Sequence, residues 1–201
     1  MPYTLWREGY IYKLNSRLTI VKHRFSPFRD KGYDHIGGLD FYRGVIYAAL
    51  EDVYLERPMI VCFNKGLEVI DSFILPEAAH CPWVAVDETG LLYTSDYTLC
   101  KVILVYSYVK GDKAYLERRI LLDKPLYAVQ GGCFYDDDLF LSCDDKFKAI
   151  YRVRLHGNTG SVTRFVNTNL RSELEDLYIT RKGEMYIIDH EGRLYRILQV
   201  L

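Results

Sequence analysis

A chain of 201 residues that is 49% hydrophobic can bury a sizeable core, and none of its apolar runs is long enough to cross a membrane as a helix. A formal net charge of -1 with no basic tract gives no electrostatic drive toward nucleic acid or an anionic membrane, so neither partner is expected. Five cysteines, Cys62, Cys81, Cys100, Cys133 and Cys143, form no CxxC pair and are odd in number, which reads as buried thiols in a reducing compartment.

Met1 leads straight into Pro2-Tyr3-Thr4 without the basic region and apolar stretch of a secretory leader, so a cytoplasmic location is the expectation. Gly9 to Phe25 then reads as two strands around a turn at Asn15-Ser16, half of a larger hairpin unit. The charged, proline-bearing link Ser26 to Gly32 is expected to carry the chain inward. From Tyr33 to Asp52 a short apolar strand follows His35, turns at Arg43-Gly44, and continues as a second strand from Val45 to Leu50 into Glu51-Asp52. Pro58 to Phe73 repeats the pattern of the first hairpin, with Asn64-Lys65-Gly66 as its turn.

The Tyr33 pattern returns three times, in His80 to Asp96 (HCPWVAVDETGLLYTSD), Val129 to Asp145 (VQGGCFYDDDLFLSCDD) and Glu173 to Asp189 (ELEDLYITRKGEMYIID). Each copy runs sixteen positions from leading residue to trailing acid, and the leading residues His35, His80, Val129 and Glu173 lie 45, 49 and 44 positions apart. Aligned instead on Tyr47, Tyr93, Phe140 and Tyr186, the turns differ by one residue, which leaves open whether Asp144 or Asp145 is the equivalent acid. The outer strands of the second copy are expected at Lys101 to Tyr106 and Tyr115 to Leu122. Those of the third are expected at Ala149 to Leu155 and Ser161 to Asn167, and the fourth ends with one strand, Leu194 to Leu201.

A period of this size belongs to four-stranded propeller blades, whereas a sandwich has unevenly spaced connections. The chain is therefore predicted to be an all-β domain spanning 1–201, a β-propeller of about four to five blade equivalents. Its half blade covers 9–25 and its blades begin near 35, 80, 129 and 173. The alternative is a shortened relative of a six-bladed ring. An open array would leave an apolar end face that invites a homo-oligomer.

In such a ring the loops before each first strand and after each second strand meet at one mouth. Asp34, His35, His80, Gln130 and Glu173 are then expected to converge there as ligand-binding residues. Glu51, Asp96, Asp144 and Asp189 are expected to form an acidic ring around a divalent cation, Ca²⁺ being the first choice for hard oxygen donors. Acids at strand ends also simply solvate turns, and His35 and His80 serve equally well as channel-packing residues or as ligands. Trp83 reads as core, Asp136-Asp137-Asp138 as a solvated hairpin, and Gly37-Gly38 and Gly131-Gly132 as points of close backbone approach. His156 and His190 fall in turns and receive no role.

The segments DHIGGLDFYRGVIYAALE, HCPWVAVDETGLLYTSDY and VQGGCFYDDDLFLSC resemble, in order, the blade motifs of a group of six-bladed, TolB-like propellers of mostly unassigned function. The resemblance runs from about Gly9 to the C-terminus and implies a fold. The architecture is similar to that of the gluconolactonase and paraoxonase group, in which an axial calcium assists ester or lactone hydrolysis. On that likeness only Glu51, Asp96 and Asp189 correspond to an axial acid, and an axial Asn is missing. Two functions follow as expectations: binding of a small molecule or protein partner at the mouth with a divalent cation, or metal-dependent hydrolysis of lactones or aryl esters with His35 or His80 as base.

Overall fold

The computed structural model describes residues 9–51, 57–78, 80–111 and 113–198, and its regular structure is strands and turns, with one 3-10 turn at Arg29–Lys31 in the inward link. The first hairpin is β1 (Tyr10–Leu14) against β2 (Ile20–Phe25), closed by Asn15, whose Oδ1 accepts the backbone N–H groups of Arg17 and Thr19. The first full unit is an antiparallel meander of β3 (His35–Tyr42), β4 (Val45–Glu51), β5 (Met59–Asn64) and β6 (Val69–Ile74). Asn64 closes its outer hairpin in the same way, accepting from Gly66 and Glu68.

The second unit comprises β7 (Ala85–Val86), β8 (Leu92–Ser95), β9 (Leu99–Tyr108) and β10 (Ala114–Tyr127), and its outer strands run longer than the spacing predicts. The third comprises β11 (Val129–Tyr135), β12 (Asp138–Cys143), β13 (Ala149–His156) and β14 (Thr159–Asn167). The fourth has β15 (Leu174–Ile179), β16 (Met185–Asp189) and β17 (Leu194–Ile197); the end of the last expected strand, and Asp52 after the first trailing acid, lie outside the described residues. Two parallel pairings, Leu121 with Thr159 and Leu122 with Gly160, join β10 to β14, so the second and third units form one eight-stranded sheet.

Burial follows the spaces between successive sheets. Ile11 of the first hairpin packs with Ile36, Ile46 and Phe63 of the first unit. Ile60 and Phe73 of that unit pack with Val84, Leu92 and Tyr106 of the second, and Phe140 and Ile150 of the third pack with Leu177 and Met185 of the fourth. A sheet that is apolar on both faces and covered by its neighbours is the physical content of an all-β propeller, and this is the fold. All five cysteines are buried free thiols.

The first strands of the four units meet at the centre: β3 lies against β7, β11 and β15, so the first unit touches the last. Their approach needs glycine. A Cβ on Gly37 would stand 2.2 Å from the Pro82 carbonyl oxygen, one on Gly131 2.2 Å from Asp176 Oδ1, and one on Gly132 2.6 Å from the Trp83 ring. Backbone and the fully buried Trp83 therefore pack where the sequence predicts an axial hollow. Two buried carboxylates brace the junction. Asp40 of β3 accepts the N–H of Val86 in β7 at 2.8 Å, and Asp176 of β15 accepts the N–H of Leu39 in β3 at 3.0 Å.

Candidate functional site at the strand-end mouth

Antiparallel pairing fixes which residues share one end of the sheets. His35 opens β3 opposite Glu51 at the end of β4, and Leu174 opens β15 opposite Asp189 at the end of β16. The loop residues His80, Tyr97, Asp144, Glu173 and His190 flank these ends. His80 reaches Glu51, with Nε2 2.5 Å from Oε1, and packs edge-on against the Tyr97 ring at 5.8 Å. Glu51 Oε1 is sealed from solvent and accepts no hydrogen bond, its contact with His80 being an ion pair when the imidazole is protonated. Buried acceptors are rarely left in that state.

On the facing side His190 Nδ1 lies 3.1 Å from Glu175 Oε1 and 3.6 Å from Glu173 Oε2, and its backbone N–H donates to the Glu173 carbonyl. Donor atoms of Glu173, Glu175 and His190 all lie within 4.8 Å of one another. The two groups share one electrostatic field. Burial raises the pKa of the Tyr97 hydroxyl, and Asp144, Glu173, Glu175 and Glu51 add to the rise. Burial lowers the His35 pKa against the attraction of Glu51 and Asp34, and the nearby His80 and His190 reinforce the fall, so its imidazole is held neutral. Burial also pushes the Glu175 carboxyl up to about 7, with His190 opposing and Glu173 and Asp144 adding to the rise.

The predicted residues divide accordingly. His35, His80, Glu51 and Glu173 come together, with Asp34 exposed beside His35 and Gln130 half-buried on β11. Of the predicted acids, Glu51 and Asp144 both act on Tyr97 at this mouth. Asp96 is exposed. Asp144 pairs with Lys148 at 2.5 Å and accepts the Leu174 N–H at 2.9 Å, anchoring the start of the fourth unit. Asp189 is fully buried, and its oxygens accept from the Arg193 backbone, the Arg193 guanidinium and the Tyr195 hydroxyl. Burial pulls its pKa up, but these donors win and hold it below the usual carboxylate range.

Glu175, His190 and Tyr97 escaped the sequence reading. The spacing Glu173-x-Glu175 at a strand start was the available signal, because side chains two apart share a strand face. His190 directly follows the trailing acid and so stands at the same strand end.

No protein-family model and no curated protein matches the chain. Solved structures do. A streptogramin B lyase is 12% identical over 94% of this chain and 62% of its own, with a TM-score of 0.53. A protein of unknown function from Bacteroides caccae is 12% identical over 94% of this chain and 75% of its own, with a TM-score of 0.54. Virginiamycin B lyase from Staphylococcus aureus is 14% identical over 96% and 64%, with a TM-score of 0.48. The chain thus spans less than two thirds of the length of the two lyases. At these identities the likeness concerns the fold.

Proposed function

We propose that the chain is a ligand-binding propeller whose mouth takes a small polar molecule together with a divalent cation. The observation that carries this reading is Glu51 Oε1, a buried oxygen without a hydrogen bond, beside His80 at the same mouth as the mixed nitrogen and oxygen donors of Glu173, Glu175 and His190. Separations of 3.1 and 3.6 Å between donor atoms suit ligands that each bind one ion at about 2.0–2.2 Å, and the imidazole favours a transition-metal cation over Ca²⁺. Glu173, Glu175 and His190 would hold the cation, and Glu51 with His80 would hold the polar ligand. The motif resemblance supports kinship with the six-bladed TolB-like propellers.

Melting the purified protein with EDTA and with Ca²⁺, Mn²⁺ or Zn²⁺ tests the cation. Mn²⁺ or Zn²⁺ at saturating excess is expected to raise the midpoint by several degrees, and Glu175→Gln to abolish the rise. A midpoint unmoved by any cation removes this part of the proposal. Because Glu175 must lose its proton to ligate, affinity is expected to climb as pH rises through about 7.

The neutral imidazole of His35 supports a second reading, in which it serves as general base for hydrolysis of a lactone or aryl ester at the same mouth. Chelator-sensitive turnover of such substrates, lost in His35→Ala, is the expected outcome. Turnover indifferent to both changes sinks it.

A further inference from the structure

A second site lies away from the mouth cluster, at the seam between the second and third units. Strand β10 follows β9 to the pairing of Leu121 with Val102 and rejoins it at Leu126 with Cys100, so residues 122–125 bulge out opposite a single residue. Pro125 in the bulge has no N–H to give back to the ladder. The bulge is instead tied to β14. Leu122 pairs with Gly160, where a Cβ would stand 2.8 Å from the Leu122 side chain, and Asp123 Oδ1 accepts the N–H of Val162 at 2.8 Å. Between the bulge and β13–β14 opens a cleft of about 310 Å³, walled by Lys124, Tyr127, Asp145, Tyr151, Val162 and Arg164.

The charges in this cleft are unevenly satisfied. Asp145 is spent internally: Oδ1 accepts the Phe147 N–H and Oδ2 accepts the Tyr151 hydroxyl. Arg164 holds its guanidinium carbon 4.3 Å above the Phe147 ring, and its N–H groups make no hydrogen bond or ion pair among the described residues. Lys124 makes a single long contact, 3.5 Å to the Val162 carbonyl. Tyr127 stands at the rim with 55% of its surface exposed. The cleft therefore offers two cations lacking a carboxylate partner, an aromatic platform, and walls fixed by the seam.

From this arrangement we infer that the cleft binds a small planar carboxylate, its ring on Tyr127 and its anionic end shared between Arg164 and Lys124. The volume sits at the lower end of ligand pockets and accommodates a single ring. Guanidinium and carboxylate match as paired forks, so a carboxylate should be preferred over an uncharged group of similar size, and the Tyr127 ring should favour an aromatic acid over inorganic phosphate.

Isothermal titration of the whole chain with benzoate, benzamide and inorganic phosphate at pH 7 tests this. Benzoate is expected to bind at least tenfold tighter than benzamide and tighter than phosphate. Arg164→Gln and Tyr127→Ala should each weaken benzoate several-fold with an unchanged melting midpoint, since both side chains are exposed. Glu175→Gln, at the mouth, should leave it unaffected, so the two sites fail separately. Equal binding of benzoate and benzamide, undetectable binding of benzoate, or undiminished benzoate binding in Arg164→Gln would overturn the inference.

Discussion

Two carboxylates at the centre, Asp40 and Asp176, carry the clearest chemical signature of how the sheets meet. Burial raises Asp40 to about 6, with the N–H groups of Val86 and Phe41 pulling back, and raises Asp176 to about 7, with Leu39 and Leu177 pulling back. A folded-state value above the unfolded value of about 4 means that each acid adds stability fully below that pH and loses it as pH rises through 6 and 7. His35, whose folded value is lowered, works the other way: its contribution is present above about 6.5 and fades as pH falls. The two effects separate in a variant. Asp176→Asn cannot ionise, so the loss of stability between pH 5 and pH 8 in urea titrations is expected to shrink by about 1–3 kcal/mol relative to the parent chain. An identical pH slope would mean that Asp176 is not held protonated at the centre. Neither acid could be singled out from the sequence, because nothing local distinguishes an Asp that braces a neighbouring sheet from one at a solvated turn.

Among the elements, the repeat was legible because the devices that close its turns are local. Hairpins closed by Asn15 and Asn64 were readable because a side-chain amide accepting the next N–H groups is a local device. The trailing acids use it too. Asp145 and Asp189, like Asp87 elsewhere in the second unit, hold their turns and accept a hydroxyl from the tyrosine six residues on, Tyr151, Tyr195 and Tyr93. Recurrence at equal offsets was therefore a record of turn construction as much as of a binding site. Replacing Asp189 by Ala is expected to cost about 1–3 kcal/mol in thermal or urea unfolding, while Asp96→Ala, on the exposed side, should stay within about 0.5 kcal/mol. Equal costs would show that both acids play one role. The glycine pairs were read correctly as points of close approach. Gly37→Ala, driven against a carbonyl, is expected to lose about 1–3 kcal/mol, whereas Gly66→Ala meets only the tip of Asn64 at 3.0 Å and should lose less.

At the scale of the molecule, periodicity revealed the propeller because one unit was repeated, and the repeat also brought His35, His80, Glu51 and Glu173 to one end of the sheets. It could not reveal Glu175 and His190, which sit one or two residues beside the repeated positions, nor the β10–β14 seam, which depends on a bulge in a single unit. Imidazoles from different units face one mouth, and the proposal is that a cation binds there. The chain has five histidines, and two of them lie outside this cluster: His23 on β2 packs with Tyr10 and Tyr12, and His156 closes β13 at the end opposite Ala149, which pairs with Cys143. Imidazole resonances followed by NMR during addition of Mn²⁺, whose broadening falls steeply with distance, test the claim directly. His190 is expected to broaden first, then His35 and His80, while His23 and His156 stay sharp at the same metal ratio. Broadening that begins at His23 or His156, or that spares His190, would contradict it.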